Sequence, residues 1–214
     1  MDERLMAAIE AGDGGAVGRL IGSEPELARA RRGGLSAVML AAYHRQPEIA
    51  RALLEARGPA DLFEAAALGL ERRVRQLIGW DPRSVVARSP DGFTALHLAA
   101  YFGRPGVVRI LLDEGVDLAP AADNASRVRP LHSAVAGGNE EVVALLLEAG
   151  ADVEVRQEGG FTPLMGAAAA GSQALVGKLL EAGADKAARS DDGKTALALA
   201  REQGHDGLED LLGD

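Results

Sequence analysis

The stretch Asp91 to Gly115 reads DGFTALHLAAYFGRPGVVRILLDEG and gathers a histidine, an aspartate, hydroxyls and a glycine-bracketed turn. Such a set could supply a general base and a group to orient it. His97 and His132 are the first candidates for a base or a metal ligand, with His44 and His205 the remaining imidazoles. No two of them stand at ligand spacing with a carboxylate nearby, so no metal site is expected. Gly193–Thr195 (GKT) imitates the end of a phosphate-binding loop, but that motif needs a glycine five positions earlier, where residue 188 is alanine. Asp191 and Asp192 would also repel phosphate there. GDGG from Gly12 lacks the third glycine of a dinucleotide motif and follows no strand. Glu140-Glu141 opens a helical run, where negative charge suits the helix dipole.

The elements that carry these residues recur. TALH at Thr94–His97 returns as RPLH at Arg129–His132, TPLM at Thr162–Met165 and TALA at Thr195–Ala198, at spacings of 35, 33 and 33. Each copy leads into a run of small residues, usually a glycine, and then a second apolar run such as VVRILLDEG or VVALLLEAG. SAVM from Ser36, ADLF from Ala60 and ERLM from Glu3 open similar runs upstream. Seven units are therefore expected within one domain over 1–214, starting near 3, 36, 60, 94, 129, 162 and 195.

The spacing predicts two short helices per unit. Thr94 can cap the first, with Leu96, Ala99 and Ala100 on its apolar face. Pro130 and Pro163 occupy the first helical position, where a fixed φ is harmless. Gly103 ends that helix; Pro105 starts the second, which buries Val107, Val108, Leu111 and Leu112. Unit 2 is short because Gly58-Pro59 leads directly onward, and PAADNASRV lengthens the loop after unit 4. Units 1 and 7 are expected to act as caps.

Composition narrows the function classes. Hydrophobic residues make up 47% of the 214, yet aromatics only 3%, so the core must come from small side chains on closely packed helices. The absence of cysteine excludes disulfides and thiolate chemistry. Residues 1–107 hold 14 basic and 13 acidic side chains, residues 108–214 nine and 19. An acidic half argues against nucleic acid or a membrane surface as partner. With no leader or membrane span evident, a cytoplasmic monomer is expected. Arginine outnumbers lysine 20 to 3, which points to a GC-rich bacterial source by codon usage alone.

The T-P-L-H-x-A-A pattern, the helix-ending glycine, and LLLEAGADVEV from Leu145 and LLEAGADKAA from Leu179 resemble the ankyrin repeat over essentially the whole chain. The resemblance implies an all-α solenoid of stacked antiparallel helix pairs joined by β-hairpin-like fingers. It implies that His97 and His132 hydrogen-bond between adjacent units rather than catalyse, since the same slot holds Met165 and Ala198. It also implies a non-enzyme without cofactors that binds another protein through a concave groove.

In that groove the open positions lie just before each tetrapeptide and late in each first helix. Five of the seven aromatics fall there: Tyr43, Phe93, Tyr101, Phe102 and Phe161. Aromatic anchors of this kind make interface hot spots. A partner surface is therefore expected at these five, with Arg127 and Arg129 as its polar rim. The rival expectation is a small-molecule sensor or enzyme in a cavity beside the shortened unit 2, using Tyr43, His44 and Asp61. Arg29, Arg31, Arg32, Arg72, Arg73 and Arg75 form a basic stretch expected to be a solvated face or a seat for an acidic segment.

Overall fold

The computed structural model describes residues 3–213; residues 1, 2 and 214 of the expected 1–214 domain lie outside the described residues. Helices alternate as short and longer partners: α1 (Glu3–Glu10) with α2 (Gly14–Ser23), α3 (Ala37–Tyr43) with α4 (Pro47–Arg57), and α5 (Leu62–Leu68) with α6 (Glu71–Trp80). There follow α7 (Ala95–Tyr101) with α8 (Pro105–Asp113), α9 (Pro130–Ala136) with α10 (Glu140–Glu148), α11 (Pro163–Ala169) with α12 (Gln173–Glu181), and α13 (Ala196–Glu202) with α14 (Glu209–Leu212). The pairs stack into a solenoid, first helices against first helices and second against second.

Capping sets where the first helices begin. Ser36, Asp61, Thr94, Thr162 and Thr195 each accept the backbone N–H three residues on, with oxygen-to-nitrogen distances from 2.9 to 3.4 Å. Alanine then lets these helices approach: Ala65, Ala66, Ala99, Ala100, Ala134, Ala167 and Ala168 are all without solvent exposure. Gly103, at φ 64°, turns the chain from α7 into α8 in a left-handed conformation that favours glycine.

The fingers join edge to edge by backbone hydrogen bonds. Asp123 N donates to Gly92 O at 2.9 Å, Glu158 N to Ser126 O at 3.0 Å and Asp191 N to Gly159 O at 2.9 Å. Among the described residues only one finger forms regular strands, β1 (Arg31–Arg32) antiparallel to β2 (Leu35–Ser36). The apparent phosphate loop is one of these turns. Lys194 pairs with Glu202 at 2.7 Å and with Asp192 at 3.7 Å, while Thr195 caps α13.

The apolar interior is not continuous. One cluster runs from Ala60 to Leu212, a second from Leu5 to Leu53, and Leu54 packs against both. A small third cluster of Met39, Ala42, Ala67 and Leu98 lies on the inner side. The division falls where Gly58-Pro59 takes the chain from α4 straight to α5 without a finger. There α4 packs on α2 and α6 packs on α8, whereas α4 and α6 touch each other less than either of those pairs does.

A polar group sits in that seam. Glu64, with no solvent exposure, receives hydrogen bonds from Ser36 Oγ at 2.6 Å and from Asp61 N at 3.0 Å, and forms an ion pair with Arg57. Burying a carboxylate is tolerable only when its lone pairs are supplied with donors in this way.

Candidate binding surface on the inner face

The surface is built by the first helices and the fingers that follow them. Late in α5 stands half-buried Leu68, at the position where α3 and α7 carry Tyr43 and Tyr101. The flanking rings meet beside it: Tyr43 and Tyr101 have centroids 6.2 Å apart, and Phe102 lies 5.3 Å from Tyr43 and 5.1 Å from Tyr101. Tyr43 Oη donates to Asp91 Oδ2 at 2.7 Å, locking its ring. Desolvation, reinforced by that bond, pushes the phenol pKa up.

Beside this cluster opens a cavity of about 190 Å³. Tyr43, Phe93, Leu98, Tyr101 and Val128 give it apolar walls, and the rings of His97 and His132 reach its floor. Phe93 stacks at a tilt on His97, centroids 5.8 Å apart. A second cavity of about 290 Å³ shares the Tyr101 ring and lies among the turns between first and second helices.

The histidines are structural. His97 Nε2–H donates to Val128 O at 3.1 Å, while Nδ1 accepts from Thr94 at 2.8 Å. His132 repeats the arrangement, with Phe161 O at 3.1 Å and Arg129 N at 3.2 Å. Each ring therefore ties its own helix cap to the following finger, and a carbonyl acceptor assigns the proton to Nε2. Desolvation lowers both imidazoles to about 4, so they are neutral near pH 7. Among the described residues no cluster of His, Asp or Glu could hold a metal ion.

Tyr43, Phe93, Tyr101 and Phe102 are brought together. Phe161 is not: it packs partly buried on the main core and offers its carbonyl to His132. Arg127 stands exposed on the finger tip with φ 49°, in a turn whose Asn124 Oδ1 accepts its N–H at 3.3 Å. Arg129 lines neither inner cavity; it flanks a depression of about 600 Å³ on the other side of its finger, with Leu112, Val116 and Val155. The rival trio of Tyr43, His44 and Asp61 does not converge. Tyr43 is committed to Asp91, His44 is exposed, and Asp61 caps α5 beside a cavity of about 10 Å³ that has room for about one water.

The arginine stretch is largely neutralised. Arg29 pairs with Glu26, Arg31 with Asp61, Arg32 with Glu10 and Arg75 with Glu71, and Arg73 stacks 5.7 Å over Trp80. Two functional-looking residues escape the tetrapeptide alignment. Counting from residue 60 puts Phe63 in the histidine slot, but the helix cap is Asp61 and the slot holds Glu64. The D-x-x-E capping box was the signal for it. Arg45 fills the turn position that is glycine elsewhere, at φ 56°.

A stack of short helix pairs with an open, aromatic inner face defines a repeat solenoid. A family model described as ankyrin repeats in three copies matches residues 62–157, and a single ankyrin-repeat model matches residues 159–191. The chain belongs to the ankyrin-repeat family. It is 39% identical over 93 residues to a transient receptor potential cation channel subfamily A member 1 homolog of Caenorhabditis elegans, covering 44% of this chain and 8% of the relative. It is 35% identical over 102 residues to ankyrin repeat and SAM domain-containing protein 6 of Rattus norvegicus, covering 48% and 11%. With the NF-kappa-B inhibitor cactus of Drosophila melanogaster it shares 32% identity over 134 residues, 60% of this chain and 26% of the relative. The chain thus spans a minor part of each relative's length. Among the described residues no helix is long and apolar enough to cross a membrane.

Proposed function

We propose that the chain is a non-catalytic recognition module whose inner face captures a segment of another protein, with Tyr43, Phe93, Tyr101 and Phe102 as its anchors. The observation that carries this reading is the apolar cavity of about 190 Å³ walled by Phe93, Leu98, Tyr101 and Val128. The rings are held by each other and by Asp91, so little ordering is needed when a partner arrives. Ankyrin repeats generally serve as protein-interaction modules, and one relative, cactus, carries the name of an inhibitor of another protein. Arg127, exposed on the long finger, flanks the surface and tunes association rate more than affinity.

Photo-crosslinking from the inner face tests this. A crosslinker at Gln157, which lines the cavity, should trap a partner in extracts of the source organism, and Tyr101→Ala should abolish trapping without lowering Tm by more than a few degrees. The same probe at Arg109 on α8 should trap nothing. Trapping from Arg109 alone, or trapping indifferent to Tyr101→Ala, would place recognition elsewhere.

A further inference from the structure

The two inner cavities share one ring but differ in chemistry. The larger is walled by Leu68, Tyr101 and Phe102 and rimmed by Arg45 and Arg104, with no carboxylate among its lining residues. Arg104 is aimed by a hydrogen bond from Nε to Ala67 O at 2.8 Å. Nine of the 20 arginines pair with an acid among the described residues, and Arg45 and Arg104 are not among the nine. In a chain with 32 acidic side chains, that leaves a local cationic seat inside an aromatic wall.

Arg45 is also costly to keep. It ends the first helix of its pair at φ 56°, where Gly12, Gly69, Gly103, Gly138, Gly171 and Gly204 stand at φ 64° to 77°. Glycine suits that turn and a side chain does not. The Arg45 guanidinium makes no hydrogen bond or ion pair among the described residues, so no contact within the fold accounts for it. Backbone strain of this kind clusters at functional sites, and beside an aromatic cavity it points toward a ligand. Gln46 also lines this cavity.

The geometry points to an extended acidic segment of a partner protein as the occupant. It seats an apolar side chain against Phe93, Leu98 and Val128, and an Asp or Glu carboxylate between Arg45 and Arg104. Side chains at i and i+2 of an extended chain lie on one face about 7 Å apart, which suits two seats divided by a single ring. Charge complementarity selects this occupant over a basic or neutral one. The inference rests on the inner-face reading above and adds the chemistry of what is bound.

The test is selection of random peptides displayed on phage against the full chain, followed by anisotropy titration of the enriched peptides. Enriched sequences should carry Asp or Glu two residues from an aromatic or aliphatic side chain. Arg45→Gly should weaken binding about tenfold, the worth of one charge-assisted hydrogen bond, while raising Tm. Tyr101→Ala should weaken it at least as much. A merely structural arginine would not separate binding from stability in this way. Enriched peptides without an acid, or binding unchanged in Arg45→Gly but lost in Tyr101→Ala, would overturn the carboxylate seat and leave the inner-face reading standing. Binding indifferent to both variants would overturn the two together, and failure to enrich any peptide would overturn the acidic-segment inference.

Discussion

Two seams of this stack put opposite chemistry in the same helical position. Between α7 and α9 the third residue of the helix is His97, which reaches forward to Val128 O. Between α3 and α5 it is Glu64, which reaches back to Ser36 and takes Arg57 as its counter-charge. A neutral imidazole has a donor and an acceptor on one ring, so the backbone can satisfy it. A carboxylate only accepts, and needs donors gathered from three places. The main apolar core runs across the histidine seam and stops at the carboxylate seam, which Leu54 and the small inner cluster of Met39, Ala42, Ala67 and Leu98 bridge. In a repeat fold each unit leans only on its neighbours, so the seam that holds the buried carboxylate and lacks a finger is where the stack should part first.

The most severe way to break the comparison is Arg57→Ala. It leaves Glu64 buried without its counter-charge, and loss of one partner of a buried pair costs about 3–5 kcal/mol. The expected outcome in urea is early unfolding confined to residues 5–53, read by hydrogen exchange, while the core from Ala60 onward holds. A uniform loss of protection along the chain would mean that the two clusters are one cooperative unit.

The histidine seam answers to pH. His97 and His132 have folded pKa values of about 4 against 6.5 for the free side chain. Between those values the unfolded chain binds more protons than the folded one, so stability is complete above pH 6.5 and drains away as pH falls toward 4. Each ring contributes up to about 3 kcal/mol to that slope. Met165 fills the equivalent position in α11, so His97→Met should fold and should remove about half of the slope between pH 6.5 and 5. Urea midpoints across that range check it; an unchanged slope would mean that His97 is protonated in the folded state.

Much of the fold was legible because repetition averages out local ambiguity. Thr94, Thr162 and Thr195 cap helices at sequence spacings that could be read directly, and the glycines that follow mark the turns. The grouping of Tyr43, Phe93, Tyr101 and Phe102 was legible for the same reason, since position in the unit fixes the face. What escaped was set by departures from the repeat. Glu64 was hidden because unit 3 takes one residue fewer between its cap and its glycine, shifting the slot by one. Arg129 was placed on the rim by its finger, but direction depends on which side of the hairpin the backbone turns, and the tetrapeptide does not encode that. The second cavity gathers Arg45, Leu68, Tyr101 and Asn139 from four successive units, a relation that no single unit displays.

The mildest test sets the two turns against each other. Gly103 and Arg45 occupy equivalent positions at φ 64° and 56°. Gly103→Ala should destabilise on two counts, because the left-handed turn penalises a Cβ and that Cβ would fall 2.2 Å from Asn139 Oδ1. Arg45→Gly should do the reverse and gain about 1 kcal/mol, the usual relief when glycine replaces a strained residue. The gain should appear as slower exchange in α3 and α4 and not in α8, since the turn belongs to the N-terminal seam alone. If Arg45→Gly were neutral or destabilising, the arginine would be making a contact that supports the turn, and its retention would need no ligand to explain it.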